Sequence, residues 1–306
     1  MAFTRLVRGM RRQLITNTWD RQVFNLRHEF PNEFEVKGNE LRLSTLDLTI
    51  ARNTFDFLLD NYVLARDLRK IGAEYKIEEG KLFVNVGGIT MNATTAEEIF
   101  IFHEVFFRGA YQFNFPQKCI VLDIGMNVGT ASLFFASLSN VERVFSFEPL
   151  VPTFEQAKYN LALNPELGKK IECRNVGLGL RNETIEVAYD FSNKGQAGIH
   201  GTEFIRSELK NVEKQKMTLV EASAVVRELI ERNRELPRVM KVDCEGSEYA
   251  IIESLSTSNL LSSFNVIMIE WHRRGPDLLV ELLSRAGFLS FTQRASETVG
   301  MIYATK

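Results

Sequence analysis

From about residue 95 onward, short apolar runs alternate with longer segments whose apolar positions fit a helix. Cys119-Ile-Val-Leu-Asp123 predicts a short strand, and the small apolar stretch from Val128 to Leu138 predicts a helix lying on a sheet. Val144-Phe-Ser-Phe147 repeats the strand, Thr153 to Leu163 the helix, and Ile171-Glu-Cys-Arg-Asn175 the strand again. Further on come Val239-Met-Lys-Val-Asp243, a helix from about Ser247, the strand Asn265 to Glu270 and a helix from Pro276 to Ala286. Closing strands are predicted near Phe288–Thr292 and Met301–Ala304. Strands alternating with helices imply an α/β fold built on a doubly wound, mostly parallel sheet. Right-handed crossovers bring the strand ends to one edge, where ligands of such sheets bind.

The first ninety residues have a different character. A polar helical pattern around 54–72 precedes an alternating hairpin, in which Glu74-Tyr-Lys-Ile-Glu78 and Leu82-Phe-Val-Asn-Val86 flank Glu79-Gly80. No chemical motif falls there. Residues 1–94 therefore read as a smaller α+β domain, either a cap that positions substrate or plain scaffold, ahead of a main domain at 95–306. At the very start, Phe3, Leu6, Val7, Met10 and Leu14 recur at helical spacing among Arg5, Arg8, Arg11 and Arg12. That pattern suits a helix docked on its own protein, or a basic helix resting weakly on anionic lipid. No apolar run is long enough to cross a bilayer, and the basic N-terminus lacks the apolar core of a signal peptide.

Composition narrows the function classes. The 306 residues include 37 Lys and Arg against 39 Asp and Glu, a formal net charge of -2. That balance is a poor basis for tight nucleic-acid binding, so no nucleic-acid partner is expected. Cys119, Cys173 and Cys244 are far apart and odd in number, which suits reduced thiols in a cytoplasmic protein better than a disulfide framework.

The chemistry concentrates after the first main-domain strand. Asp123 closes that strand, and Gly125, Asn127 and Gly129 follow at alternate positions. Gly125 permits a tight turn, and Gly129 lets the next helix approach the sheet. Nineteen residues past Gly129, Glu148 ends the second strand, where doubly wound nucleotide folds place an acid against ribose hydroxyls. A dinucleotide would want glycine where Asp123 stands, because a carboxylate there repels a pyrophosphate. S-adenosylmethionine (SAM) has no phosphate and carries an ammonium and a sulfonium, so an acidic loop suits it. Asn175, after the third strand, either meets the adenine edge or is a turn residue before Gly177.

These motifs resemble the FkbM family of SAM-dependent methyltransferases. The resemblance rests on Val121-Leu-Asp-Ile-Gly-Met-Asn-Val-Gly129, on Val144-Phe-Ser-Phe-Glu-Pro149 with Tyr159-Asn-Leu161, and on Lys241-Val-Asp-Cys-Glu-Gly-Ser-Glu248. Glu104-Val-Phe, Tyr111 and Ile269-Glu-Trp-His272 support it, and the match runs over about residues 95–305. Met126 stands where the family more often has alanine. The resemblance implies a class I methyltransferase fold with a seven-stranded sheet, SAM as methyl donor, and Glu104 and Tyr111 among the cofactor-binding residues. It also implies O-methylation of a hydroxyl on a sugar, glycan or polyketide-type acceptor.

Methyl transfer is an in-line displacement that usually needs the acceptor's proton removed. Asp243, Glu245 and Glu248 cluster after the fourth strand, and Lys241 faces away from Val242, placed to pair with one of them. Glu270 and His272 end the fifth strand on the same side. His272 or Asp243 is the expected base, with Glu270 and Lys241 in the catalytic cluster. Glu248 either joins that chemistry or simply sits in a helix's first turn, where the dipole favours acids. A divalent metal held by Asp243, Glu270 and His272 is the less favoured alternative. Residues 190–216, with Gly195, Gly198 and Gly201, form either a lid or a solvated excursion. The rival functions are methylation of nitrogen on another acceptor and a non-catalytic SAM-binding module; the intact acidic cluster speaks against the second.

Overall fold

The computed structural model describes residues 17–191, 194 and 212–306. The Phe3–Leu14 pattern and the glycines proposed for a lid, Gly195 to Gly201, lie outside the described residues. Two compact units divide the chain, the first ending at Arg108 and the second beginning at Gly109. Among the described residues, no helix is long and apolar enough to cross a membrane.

In the N-terminal unit, α1 (Thr18–Glu29) starts where the Asn17 side chain accepts from Asp20 N–H, a side-chain N-cap. An antiparallel sheet follows, made of β1 (Phe34–Lys37), β2 (Glu40–Leu43) and β3 (Leu48–Ala51). The helical pattern around 54–72 resolves into α2 (Asp56–Asp60) and α3 (Tyr62–Lys70), broken at Asn61. The expected hairpin is present as β4 (Glu74–Glu78) and β5 (Lys81–Val86), in the register Glu78 opposite Lys81. A further strand, β6 (Ile89–Ala93), extends it to three, and α4 (Ala96–Phe102) runs on into a π-helix over His103–Arg108.

The C-terminal unit is built on one seven-stranded sheet. Its strands are β7 (Cys119–Ile124), β8 (Val141–Phe147), β9 (Ile171–Arg174), β13 (Arg238–Val242), β14 (Val266–His272), β15 (Leu289–Arg294) and β16 (Val299–Thr305). They lie in the order β15, β16, β14, β13, β7, β8, β9. Pairings from β14 through to β9 are parallel, and β16 is antiparallel to both its neighbours. This is the mostly parallel, doubly wound sheet the strand-helix alternation implied. Every residue of β7 is buried, as befits a central strand covered on both faces. Ile120, Leu122 and Ile124 pack with Phe145, Phe147, Met240, Val242, Ile267 and Ile269 in the main core.

Strand order reverses beside β7, with β8 on one side and β13 on the other, each parallel to it. The crevice outside their carboxyl ends is where such sheets place a ligand. The helices α5 (Thr130–Ser137), α6 (Val151–Ala162), α7 (Ala222–Arg232), α8 (Glu248–Thr257) and α9 (Asp277–Arg285) connect the strands. A separate small sheet combines β10 (Gly177–Gly179), β11 (Glu183–Asp190) and β12 (Val212–Glu221), with β11 and β12 antiparallel from Glu183 opposite Leu219 to Asp190 opposite Val212. The stretch expected as a lid or excursion thus has a strand at each of its ends.

Candidate active site

The turn after β7 is held from two sides. Gly125 and Met126 donate their N–H groups to Phe147 O at the end of β8, at 3.1 and 2.9 Å. Across the switch point, Asp243 N–H donates to Ile124 O at 3.0 Å. Gly125 has φ +86°, and a Cβ built on it would lie 1.7 Å from the Asp243 carbonyl oxygen. Only glycine lets the turn after the first strand touch the main chain after the fourth. Asn127 takes a left-handed φ of 50°, which asparagine tolerates, and its Oδ1 accepts from Val128 N–H at 2.7 Å. Gly129, at φ +90°, opens α5, and a Cβ there would meet Leu161 Cδ1 at 3.2 Å and Met126 Cε at 3.4 Å. Asn160 donates to Val128 O at 2.9 Å, so Tyr159-Asn-Leu161 acts as a brace for this turn.

Below the turn lies a buried charge network. Asp123 is fully buried, accepts from Ser132 Oγ at 2.5 Å, and pairs with Lys241 Nζ at 3.1 Å. Ser146 Oγ is 2.8 Å from Ser132 Oγ. The Lys241 ammonium also donates to Gly125 O at 2.5 Å and lies 3.6 Å from Asp243 Oδ2 and 5.4 Å from the Tyr111 ring centre. Burial opposes its charge, yet Asp123 and Asp243 hold it above the usual lysine range. Asp123 is therefore spent beneath the turn on Lys241 and Ser132, rather than standing open at its mouth.

Glu148 takes over the acidic role at the second strand. Its Oε2 accepts from Asn127 N–H and its Oε1 from Leu150 N–H, both at 3.0 Å. Burial outweighs these two donors and pushes its carboxyl up to about 7. Each oxygen keeps a lone pair for a further hydroxyl. Asn175 donates its amide to Glu148 O at 2.8 Å, so this side chain fixes the main chain carrying the acid.

The second half of the site follows β13. Tyr111 Oη lies 3.0 Å from Asp243 Oδ2 and 3.4 Å from Glu270 Oε2, and its one proton serves one of them at a time. Glu245, at φ 50°, and Gly246, at φ 107°, fold the next residues into a tight turn. That turn wraps Glu248, which is fully buried at the start of α8. Glu248 Oε1 accepts from Cys244 N–H at 2.8 Å and Gly246 N–H at 3.1 Å, and Oε2 from Gly246 N–H at 2.8 Å. The same Oε1 lies 3.0 Å from His272 Nδ1. His272 Nε2 faces Glu245 Oε1 at 3.8 Å and Glu270 Oε1 at 4.0 Å. Tyr249 Oη lies 3.1 Å from His272 O and 2.8 Å from Gly275 O, tying down this end of β14.

Burial alone would push the His272 imidazole down. The hydrogen bond and charge of Glu248, with Glu245 and Asp243 behind, reverse this and raise it to about 10. At neutral pH the ring is an imidazolium with no lone pair to take a proton, so His272 is not the base expected from the sequence. The ligand atoms that converge, within 4.8 Å of one another, are those of Asp243, Glu248 and His272, rather than the trio with Glu270. Both Glu248 oxygens already accept main-chain N–H groups, and His272 would have to release a proton before it could bind an ion.

Of the other expected residues, Tyr111 lies with the acids Asp243 and Glu270. Glu104 belongs to the N-terminal unit, on the π-helix, where it pairs with Arg108 at 3.7 Å. Ser132, Ser146, Asn160 and Tyr249 escaped the sequence reading. Asn160 and Ser146 had a signal, their places inside the Tyr159-Asn-Leu161 and Val144-Phe-Ser-Phe-Glu-Pro149 motifs.

A seven-stranded sheet with one inverted strand, a glycine turn at its switch point and an acid ending the next strand together define the class I methyltransferase fold. The family model for the methyltransferase FkbM domain matches residues 123–290. The chain belongs to the FkbM methyltransferase family. The methyltransferase sdnD of Sordaria araneosa is 25% identical over 216 residues, covering 63% of this chain and 82% of that protein. The hexuronic acid methyltransferase AglP of Haloferax volcanii is 29% identical over 169 residues, 55% of this chain and 62% of that one. A crystal structure of a methyltransferase FkbM from Methylobacillus flagellatus aligns with a TM-score of 0.45 at 16% identity, covering 66% of this chain and 47% of that one.

Two predictions follow from this geometry. Gly125→Ala forces a Cβ into the Asp243 carbonyl and should cost at least about 3 kcal/mol in urea unfolding, or abolish soluble expression. Stability should also fall as pH rises from about 4.5 to 10. Glu148 and His272 both have folded values above their ordinary 4.5 and 6.5, at about 7 and about 10, so each contribution is complete at low pH and is lost through its own window. Melting temperatures across that range test this: Glu148→Gln should flatten the lower window and His272→Asn the upper.

Proposed function

We propose that this chain is a SAM-dependent O-methyltransferase acting on a hydroxyl of a sugar, glycan or polyketide-type acceptor, with Asp243 as the proton acceptor. SAM supplies an electrophilic methyl group on a sulfonium. Glu148, with spare lone pairs beside the glycine turn, is suited to the ribose hydroxyls, while Gly125, Asn127 and Gly129 give the turn its shape. Asn175 and Tyr111 hold the acids in place.

The observation that carries this reading is the state of Asp243. It is a partly exposed carboxylate, its side chain 28% accessible, fixed by Tyr111 and Lys241 where β13 meets the turn. A base so positioned contributes roughly 10²–10⁴ in rate. The acids Asp243, Glu245 and Glu270 around one imidazolium suit a hydroxyl that gives up a proton. AglP, a hexuronic acid methyltransferase by name, supports a sugar-type acceptor.

The test is incubation with methyl-labelled SAM and an extract of the source cell, with identification of the labelled product. We expect an O-methyl product, and about 10²–10⁴-fold slower labelling by Asp243→Asn with S-adenosylhomocysteine affinity retained. Wild-type turnover by Asp243→Asn, or a methyl group on nitrogen, would overturn the proposal.

A further inference from the structure

The Cys244–Ser247 turn aims two of its main-chain donors, those of Cys244 and Gly246, at a single side chain. Three N–H contacts from two residues, at 2.8, 3.1 and 2.8 Å, converge on the Glu248 carboxylate. Such a carboxylate is immobile, and turn geometry rather than side-chain entropy sets its position. Its one side-chain partner among the described hydrogen bonds is His272 Nδ1, at 3.0 Å. The His272 main-chain carbonyl is tied to Tyr249, so the ring is fixed at both ends. Nδ1–H is thereby committed, and Nε2–H is the remaining ring donor. It points between Glu245 and Glu270, at 3.8 and 4.0 Å, too far to be satisfied by either.

We propose that Glu248 is a positioning residue: by holding Nδ1–H of His272 it presents Nε2–H as a fixed donor to the acceptor oxygen, between Glu245 and Glu270. A hydroxyl there accepts from Nε2–H through one lone pair and faces a carboxylate with its proton. This is the arrangement O-transfer needs: the acceptor oxygen would bond to the methyl carbon as the S–CH3 bond of SAM breaks, S-adenosylhomocysteine would leave with the S–C electron pair, and the hydroxyl proton would pass to Asp243. His272 orients the acceptor and remains charged; it does not take the proton. The charged groups facing the ring are Asp243, Glu245 and Glu270 besides Glu248, with Lys241 behind Asp243 and Arg274 stacked 4.4 Å over the Tyr249 ring. The proposal rests on the O-methyltransferase reading, yet its first link, from Glu248 to Nδ1, is independent of the acceptor.

The experiment is ¹⁵N-histidine NMR of the full chain, wild type and Glu248→Gln, across pH 6–10, with S-adenosylhomocysteine calorimetry alongside. In wild type, Nδ1 and Nε2 of His272 should both carry protons at pH 8. In Glu248→Gln the ring's titration midpoint should fall by at least one pH unit, tenfold in proton affinity, while S-adenosylhomocysteine affinity stays within about threefold. An unchanged midpoint in a folded Glu248→Gln variant overturns the proposal. If that variant does not fold, the wild-type spectrum alone decides, because an unprotonated Nδ1 at pH 8 overturns it equally. Failure to bind S-adenosylhomocysteine, or an N-methyl product, would instead sink the functional reading while leaving the Nδ1 result standing.

Discussion

One ammonium group, on Lys241, joins the two halves of the active site. It pairs with Asp123 under the glycine turn, donates to the carbonyl of Gly125 within that turn, and reaches Asp243 at the start of the next loop. Without it, a carboxylate as deeply buried as Asp123 would stand uncompensated in a site of low polarity, at a cost of several kcal/mol. Replacing the whole network by apolar side chains can be neutral for stability, so what the pair specifies is arrangement. Its two carboxylates, Asp123 on β7 and Asp243 just after β13, are far apart in the chain, and Gly125 gives up its Cβ so that the segments following the two strands can touch.

The network also distributes charge. Asp123 is neutralised internally, Glu148 sits near neutrality through burial, and His272 is held charged by the acid beneath it. Asp243, Glu245 and Glu270 supply the acidic side chains at the carboxyl edge of β13 and β14. An edge of that sign suits a positively charged methyl donor and a base that must accept a proton. The same turn residues that build the fold thereby set the protonation states the chemistry needs.

How much of this was legible in the sequence depended on the kind of signal. The parallel strands showed because each is a short apolar run, and β7 is buried on both faces. The small sheet of β10, β11 and β12 was missed: β10 is three residues long, and β11 and β12 carry charges on their open face that read as a loop. β1 to β3, at four residues each, are likewise too short to stand out. At the site, the acids were found and their partners were not. A serine such as Ser132 inside an apolar helix gives no hint that it binds Asp123. Glu248 at a helix start reads as a dipole-matched charge, and only the turn at Glu245–Gly246 shows it folding back onto His272. The charge on His272 was equally out of reach, since it depends on the turn after β13 bringing Asp243, Glu245 and Glu248 up to the end of β14.

The most direct test of the account is calorimetric titration of S-adenosylhomocysteine into the full chain carrying Lys241→Met, which keeps the side chain's bulk and removes its charge. Breaking a buried pair from one side typically costs about 3–5 kcal/mol. We predict a lowered melting temperature and at least a tenfold loss of affinity, with both recovered in part by Lys241→Met combined with Asp123→Asn. A Lys241→Met protein that melts and binds as the wild type does would contradict the claim that this ammonium organises the site.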